Sequence, residues 1–296
     1  MPYNALPSNN SSSPVVALVL SGGAARGFAH LGVLSVLQEY NIPVHFMVST
    51  SFGSIIAAYY AYGYSPSEMV RMARSFRLSS LLSFKHPWKG ILDRDKTERI
   101  FHTHLGEAAL EQLNPPVYIL CAELTEEKMV VFDRGPVVKA VTASCCFPGL
   151  FPPYRLDSYL YMDGGIMNRM MANIARQRGG EVIIYSDVDF LAVLNRSALA
   201  KRLYNRLSHR AVKNRNKAKV LSRNSLRYMI HQALCISYDY RKENEIYRLF
   251  PPEVVLLPEL QHIRALQFRK LDAAVQAGRK SALEVIDYIK RLVYQF

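Results

Sequence analysis

Apolar runs and small-residue turns alternate near the start of the chain. Residues 15–20, Val-Val-Ala-Leu-Val-Leu, form an uncharged, β-branched-rich run that predicts a strand buried on both faces. A glycine-rich turn over 21–27 follows, and apolar residues at helical spacing then predict a helix that ends near residue 40. Residues 46–48 predict a second strand, which leads through a serine-rich turn into a helix over 54–61. Two strand–turn–helix units in succession predict a parallel sheet covered by helices.

The rest of the chain continues this alternation, which makes the predicted fold class α/β. Further helices are predicted at residues 66–77, 94–113, 137–144 and 174–177, and at 268–288 with an interruption near Gly278. Further strands are predicted at residues 116–124, 128–132, 160–162, 181–188 and 254–257. A turn at 125–127 joins the first two of these strands.

Composition places the chain among folded globular proteins. Its 296 residues are 50% hydrophobic and 21% charged, which excludes disordered, collagen-like and coiled-coil chains. Four cysteines in this length fit a reducing compartment better than a disulfide scaffold. Residues 1–14 lack the features of a signal peptide, and no apolar run approaches the roughly 20 residues of a spanning helix. We therefore predict a cytoplasmic protein with a flexible tail over 1–14 and one domain over 15–296.

The net charge of +13 is concentrated in one stretch of the sequence. Between Phe190 and Tyr238 there are 11 Lys or Arg residues and no Asp or Glu, whereas the rest of the chain has 26 basic and 24 acidic residues. The chain is therefore a nearly neutral domain with a basic insert at about residues 190–238.

Part of the basic insert has the pattern of an amphipathic helix. Four small or apolar residues recur every four positions: Leu199, Leu203, Leu207 and Ala211. Six cations lie mostly on the other side: Arg196, Lys201, Arg202, Arg206, Arg210 and Lys213. This pattern predicts either peripheral contact with an anionic membrane or packing on the core with a solvated basic face. Nucleic acid is disfavoured because residues 196–233 contain only Tyr204 and Tyr228 as aromatic rings that could stack on bases.

The most informative polar motif is Ser49-Thr50-Ser51-Phe52-Gly53, between a predicted strand and a predicted helix. A nucleophile at such a turn has a strained backbone that exposes its hydroxyl, and the residues two before and two after it must be small. Ser51 and Gly53 fit this G-x-S-x-G pattern, but Ser49 replaces the first glycine. Ser51 is therefore the candidate nucleophile, and the alternative is an ordinary serine-rich strand end.

A nucleophilic serine needs donors for the oxyanion that forms when it attacks a carbonyl. The turn at 21–27 is a candidate because backbone N–H groups point outward at a helix N-terminus. Gly22 and Gly27 also have the spacing of a phosphate-binding loop, but Phe and Ala stand where that loop requires Lys and Ser or Thr. The dinucleotide pattern G-x-G-x-x-G is absent as well. The sequence favours an oxyanion hole over nucleotide binding.

The candidate base lies in Asp163-Gly164-Gly165, which follows a short predicted strand. The alternative for this motif is a plain Asp-Gly turn. His30 lies inside a predicted helix, where we expect it to pack or cap. No group of His, Cys, Asp and Glu has the spacing of a metal site, so neither a metal nor a cofactor is predicted. Cys145 and Cys146 are predicted to be buried and inert.

Taken together, these motifs resemble the patatin-like phospholipase family. Five blocks are similar in order and spacing: residues 21–34, 49–54, 131–135, 143–153 and 163–165. The first resembles the family's oxyanion block, the second its nucleophile elbow and the last its D-G-G/A motif, with two connecting blocks between them. The resemblance covers about residues 15–190 and resumes weakly over 254–289.

The resemblance implies a three-layer α/β/α sandwich and a lipid acyl hydrolase, either a phospholipase A or another carboxylic ester hydrolase acting on fatty-acyl esters. It implies a Ser–Asp dyad, in which Ser51 is the nucleophile and Asp163 the base. Its oxyanion hole would consist of the amides of Gly22, Gly23 and Ala24.

The resemblance also implies supporting roles for Arg26, Gly27, Gly53, Gly164 and Gly165. Arg26 would hold the loop, meet an anionic head group or form a structural ion pair. Because Ser49 departs from the family pattern, the alternative function is a catalytically weakened lipid- or protein-binding module on the same scaffold.

Overall fold

A central sheet organises the part of the chain that the computed structural model describes. The described residues are 13–82, 91–165, 171–188, 206–207, 210–214, 228, 230–232, 235 and 251–294. Within them the strands are β1 Val16–Leu20, β2 Phe46–Thr50, β3 Val117–Glu123, β4 Lys128–Phe132, β5 Tyr154–Leu156, β6 Tyr159–Asp163, β7 Val182–Ser186 and β8 Val254–Leu256. The α-helices with defined bounds are α1 Ala29–Glu39, α2 Phe52–Tyr62, α3 Pro66–Ser75, α4 Arg94–Leu105, α5 Val137–Ser144, α6 Met171–Gln177, α7 Leu271–Leu283 and α8 Ile286–Tyr294.

The sheet has a parallel centre and an antiparallel edge. Its order is β5-β6-β3-β2-β1-β7-β8, and β4 pairs with β3 beside this path. Strands β3, β2, β1, β7 and β8 are parallel, whereas β4, β6 and β5 join through antiparallel pairs. Because parallel strands end at the same edge, the turn after β1 and the turn after β2 lie side by side.

The buried side chains of β1 alternate between two helical layers. Val16, Leu18 and Leu20 belong to the core shared with α1, α2, α5 and α7. Ala17 and Val19 face the opposite layer, where they pack with residues of α6. Burial on both faces is what a charge-free, β-branched run favours in a parallel sheet. The mostly parallel α/β/α architecture is confirmed.

Two predicted helices have different bounds in the structure. The helix predicted over 94–113 ends at Leu105, and only a 3₁₀ turn at Leu110–Gln112 follows. The predicted interruption near Gly278 is wrong, because α7 runs unbroken through it. A Cβ on Gly278 would lie 1.9 Å from the carbonyl oxygen of Ala29, so this glycine allows α7 to cross α1 closely. The helical break lies between α7 and α8 instead.

Strand β5 has no counterpart in the sequence prediction. It has only three residues, and its antiparallel pairing with β6 stabilises it.

Among the described residues, no helix is both long and apolar enough to cross a bilayer.

Candidate active site

Ser51 and Asp163 meet at the edge of the sheet. Ser51 follows β2, whose Thr50 lies opposite Leu120 of β3, and Asp163 ends β6 opposite Cys121 of β3. Leu120 and Cys121 are consecutive residues of β3. Pairing with them therefore brings Ser51 and Asp163 to the same end of the sheet, on either side of β3. The Ser51 hydroxyl donates a hydrogen bond of 2.5 Å to Oδ2 of Asp163. A serine hydroxyl in contact with a carboxylate has the geometry of a nucleophile beside its base.

The backbone at Ser51 has the strain expected of a nucleophile elbow. Its φ is +54° and its ψ is −131°, a conformation that residues with a Cβ seldom adopt. Gly53 is required two residues later, because a Cβ there would lie 2.3 Å from the carbonyl oxygen of Leu20. Ser49 does not disturb the turn: it lies inside β2, fully buried, and its hydroxyl is 3.5 Å from the carbonyl oxygen of Tyr118. The small Ser49 side chain fits within the strand.

The glycine-rich turn at 21–27 lies directly against Ser51. A Cβ on Gly22 would lie 2.8 Å from Cβ of Ser51, so the two backbones approach as closely as only a glycine permits. Among the described residues, none accepts a hydrogen bond from the amides of Gly22, Gly23 or Ala24. All three residues line the same cavity as Ser51, and Ala24 has a φ of +49°. Free N–H groups beside a nucleophile can stabilise an oxyanion.

Two contacts orient the Asp163 carboxylate. The amide of Gly165 donates to Oδ1 at 2.7 Å, which leaves Oδ2 for Ser51. A Cβ on Gly164 would lie 2.6 Å from the carbonyl oxygen of Leu120, so a glycine is needed there too. Burial raises the pKa of Asp163 from 3.8 to about 6, against the opposing effect of its hydrogen bonds to Ser51 and Gly165. A carboxylate with a raised pKa is a stronger base than an ordinary one.

The supporting residues of the loop hold it in place. Arg26 is buried, and its Nε donates to the carbonyl oxygen of Ile263 at 2.8 Å, which ties the loop to the C-terminal part of the chain. Gly27 leaves space for the ring of Phe52, since a Cβ there would lie 2.3 Å from that ring. The bond to Ile263 supports the loop-holding role considered for Arg26.

His30 packs inside the fold, as predicted. Its Nδ1 lies 2.9 Å from the hydroxyl of Ser186, and its Nε2 lies 2.9 Å from the carbonyl oxygen of Ser21. Burial lowers the pKa of His30 to about 4, so the ring is neutral at pH 7. It links the ends of β1 and β7 beneath the loop.

Sequence reasoning missed Ser144, which holds the elbow from behind. The Ser51 amide donates to the Ser144 hydroxyl at 2.9 Å, and that hydroxyl donates to the carbonyl oxygen of Leu120 at 2.7 Å. Ser144 therefore connects the Ser51 backbone to β3, the strand that also positions Asp163. A serine at the end of a helix has no sequence signature for this role.

Replacing Ser144 by Ala should slow the reaction of Ser51 with a fluorophosphonate probe by about 10- to 100-fold, because the partly buried Ser51 amide then loses its acceptor. The labelling rate constant, measured by intact-protein mass spectrometry, tests this. Thr142→Ala is the matched control, since it removes a buried hydroxyl of α5 whose hydrogen bond goes to the carbonyl oxygen of Val138, away from the elbow. Equal labelling rates in the two variants would show that Ser144 has no positioning role.

An apolar cavity opens beside the Ser51 hydroxyl. Its volume is about 570 Å³, and Ser51 and Asp163 lie in its wall. Most of the other lining residues are apolar and come from separate segments, including Phe28, Ile56, Met72, Phe101, Leu150 and Phe268. A cavity of this size and lining has room for an apolar ligand.

Cys145 and His104 also belong to the cavity wall, and Cys145 departs from the predicted burial. Cys146 is buried as predicted, but Cys145 is partly exposed, lines the cavity and has its Sγ 3.4 Å from the carbonyl oxygen of Ser51. Burial raises the pKa of the Cys145 thiol well above its ordinary value, which disfavours the reactive thiolate. His104 also lines the cavity, and its Nδ1 contacts the Tyr59 hydroxyl at 2.9 Å. Within the described ranges, no three His, Cys, Asp or Glu side chains could hold a metal ion.

The basic insert is described only in part. Arg206, Arg210 and Lys213 are helical and exposed. Of the predicted apolar positions, Leu207 is exposed and Ala211 is buried. The remaining members of the pattern lie outside the described residues: Arg196, Leu199, Lys201, Arg202 and Leu203.

Tyr228, considered above as a base-stacking residue, is not available for that role. It is buried, and its hydroxyl donates to the carbonyl oxygen of Leu124 at 3.2 Å. Tyr204 lies outside the described residues.

Comparison with known proteins gives a consistent result. The model of the patatin-like phospholipase family matches residues 18–176, more than half of the chain. The human patatin-like phospholipase domain-containing protein 6 is 34% identical over 181 residues, which cover 58% of this chain and 13% of that protein. An uncharacterized NTE family protein of Mycobacterium tuberculosis is 35% identical over 175 residues, which cover 58% of this chain and 48% of the relative. The chain thus spans about half or less of the length of these relatives.

Among solved structures, VipD from Legionella pneumophila has a similar fold. The two superpose with a TM-score of 0.51 at 11% sequence identity, over 94% of this chain and 67% of VipD. At this identity the likeness concerns the fold alone.

Proposed function

The chain belongs to the patatin-like phospholipase family, and on that premise we propose that it hydrolyses fatty-acyl esters of phospholipids or related lipids with a Ser51–Asp163 dyad. The observation that carries the proposal is the 2.5 Å hydrogen bond between Ser51 and Asp163 in the wall of an apolar cavity of about 570 Å³. The acyl chain would occupy this cavity, and the ester carbonyl would then lie beside the Ser51 hydroxyl in the cavity wall.

In the acylation step, Oγ of Ser51 attacks the carbonyl carbon of the ester while its proton passes to Oδ2 of Asp163. The carbonyl oxygen becomes an oxyanion, for which the amides of the 22–24 loop are the donors. The ester C–O bond then breaks, and Asp163 returns the proton to the departing alcohol. The product of this step is an acyl-Ser51 intermediate.

In the deacylation step, a water molecule gives its proton to Asp163 and attacks the acyl carbonyl. The same amides stabilise the second oxyanion. The bond to Oγ of Ser51 breaks, Ser51 recovers the proton from Asp163, and a fatty acid leaves. One carboxylate thus serves both steps, which agrees with its raised pKa.

We further propose that the basic insert contacts anionic membranes peripherally. The exposed side chains of Arg206, Arg210 and Lys213 support this proposal, since cations near a bilayer are attracted to anionic lipids.

The chain-length dependence of hydrolysis tests the proposed substrate class. For soluble p-nitrophenyl esters from acetate to octanoate, kcat/KM should rise up to about fourfold per added methylene, because each buried methylene contributes about 0.8 kcal/mol. Ala73→Phe, which fills part of the cavity wall, should flatten this rise and leave acetate hydrolysis nearly unchanged. A flat series in the wild type would contradict an acyl-binding cavity.

A further inference from the structure

Four large exposed apolar side chains belong to segments that line the cavity, and we call them the rim. Their exposed fractions are 36% for Leu82, 43% for Ile91, 41% for Phe147 and 42% for Leu266. Single exposed apolar residues are normal on a protein surface, but several around one opening indicate a binding surface.

The rim residues are connected to the cavity wall and to one another. Phe147 and Leu266 themselves line the cavity. Leu82 and Ile91 each adjoin a buried lining residue, Leu81 and Leu92 respectively. The two pairs are joined by short backbone contacts: Leu82 bridges to Leu92, the Leu92 amide donates to the carbonyl oxygen of Leu150 at 2.9 Å, and the Leu150 amide donates to that of Phe147 at 3.0 Å.

Cations flank the rim. Between residues 260 and 271 there is no Asp or Glu, whereas Arg264, Arg269 and Lys270 are exposed on either side of Leu266. Within the described ranges, none of these three cations has an ion-pair partner. The carboxylates of neighbouring segments are already engaged, because Asp272 pairs with Arg74 and Asp95 with Arg94.

We infer that the rim is a docking surface for the face of an anionic phospholipid bilayer and delivers lipid directly into the cavity. The inference rests on the proposed function. An acyl chain that left the bilayer through water would expose its methylenes, whereas an apolar rim seated in the interface gives it a continuous apolar path to Ser51. Charge complementarity selects the bilayer as the occupant, since the flanking cations match anionic head groups. None of the rim residues or their flanking cations belongs to the basic insert at 190–238.

Two variants test the rim without altering the cavity or the dyad. Leu82→Ser/Ile91→Ser removes apolar contact, and Arg264→Gln/Arg269→Gln/Lys270→Gln removes positive charge. We expect both to hydrolyse a soluble p-nitrophenyl ester at the wild-type rate. On vesicles of phosphatidylcholine with phosphatidylglycerol, we expect sedimentation and turnover to fall about 10-fold in the apolar variant and about 10- to 100-fold in the charge variant.

Leu283→Ser is the matched control. Leu283 is 39% exposed and lies about 18 Å along α7 from Leu271, so this variant should bind vesicles like the wild type.

The possible outcomes distinguish a failure of the docking surface from a failure of the proposed function. Wild-type protein that sediments equally with neutral and anionic vesicles, or rim variants that bind and turn over vesicles normally, would overturn the docking surface. The docking surface would also be overturned if the rim variants differed from the wild type only in self-association, measured by light scattering. Sedimentation needs no turnover, so a wild type that binds through the rim but hydrolyses nothing would contradict the proposed function alone.

Discussion

Ser51→Ala should abolish ester hydrolysis and covalent labelling by a fluorophosphonate. The hydroxyl is the group of Ser51 that bonds to Asp163, and without it no acyl intermediate can form. We expect kcat to fall by roughly 10⁴-fold or more, which is the scale at which other serine hydrolases lose activity without their nucleophile. The fold should persist, because the change removes one oxygen from a partly exposed side chain. Steady-state kinetics and peptide mass spectrometry of the labelled protein measure both effects.

Cys145 provides the control for this experiment. Its thiol lines the same cavity and is the nearby group that could react in place of Ser51. Cys145→Ala should keep both labelling and hydrolysis, and Ser75→Ala, an exposed serine of α3, should do the same. Labelling that persists in Ser51→Ala, or that vanishes in Cys145→Ala alone, would assign the nucleophile to a different residue.

Local signals are sufficient to predict the sheet centre and the two turns that carry Ser51 and Asp163, the residues of the proposed dyad. A β-branched, charge-free run such as 15–20 is typical of a buried strand. The S-x-G turn after β2 requires a small residue at Gly53, because a Cβ there would clash with the carbonyl oxygen of Leu20. The hairpin of β3 and β4 was likewise predicted from its turn, and it is confirmed.

Features that depend on distant segments could not be predicted in the same way. Ser144 acts on Ser51 across 93 residues of sequence, and the cavity wall draws on many separated segments. The prediction at Gly278 is wrong for the same reason. A glycine weakens an isolated helix, but here the close crossing of α7 and α1 leaves no room for a Cβ. Local patterns identify what a residue can do, whereas its partners follow from the packing of the whole fold.

Asp163→Asn should lower kcat/KM by roughly 10³-fold and remove its pH dependence near pH 6. Asp163 must be ionised to accept the Ser51 proton, and its pKa is about 6 because the carboxylate is buried. In the wild type, kcat/KM should therefore fall about tenfold per unit below pH 6 and level off above about pH 7. A pH–rate profile of wild type and variant measures this. Asp157→Asn, in the exposed turn between β5 and β6, is the matched control and should keep the wild-type rate.

The same substitution should stabilise the fold at neutral pH. Between pH 3.8 and about 6 the folded protein holds a proton on Asp163 that the unfolded chain releases, so the wild-type free energy of unfolding decreases as pH rises through this window. Above it, the buried charge costs on the order of 2–3 kcal/mol. Asn carries no charge, so the variant should gain stability relative to the wild type between pH 4 and pH 8, as measured by urea unfolding. A difference between the two proteins that is constant with pH would mean that burial does not raise the pKa of Asp163, and the carboxylate would then have no more than ordinary strength as a base.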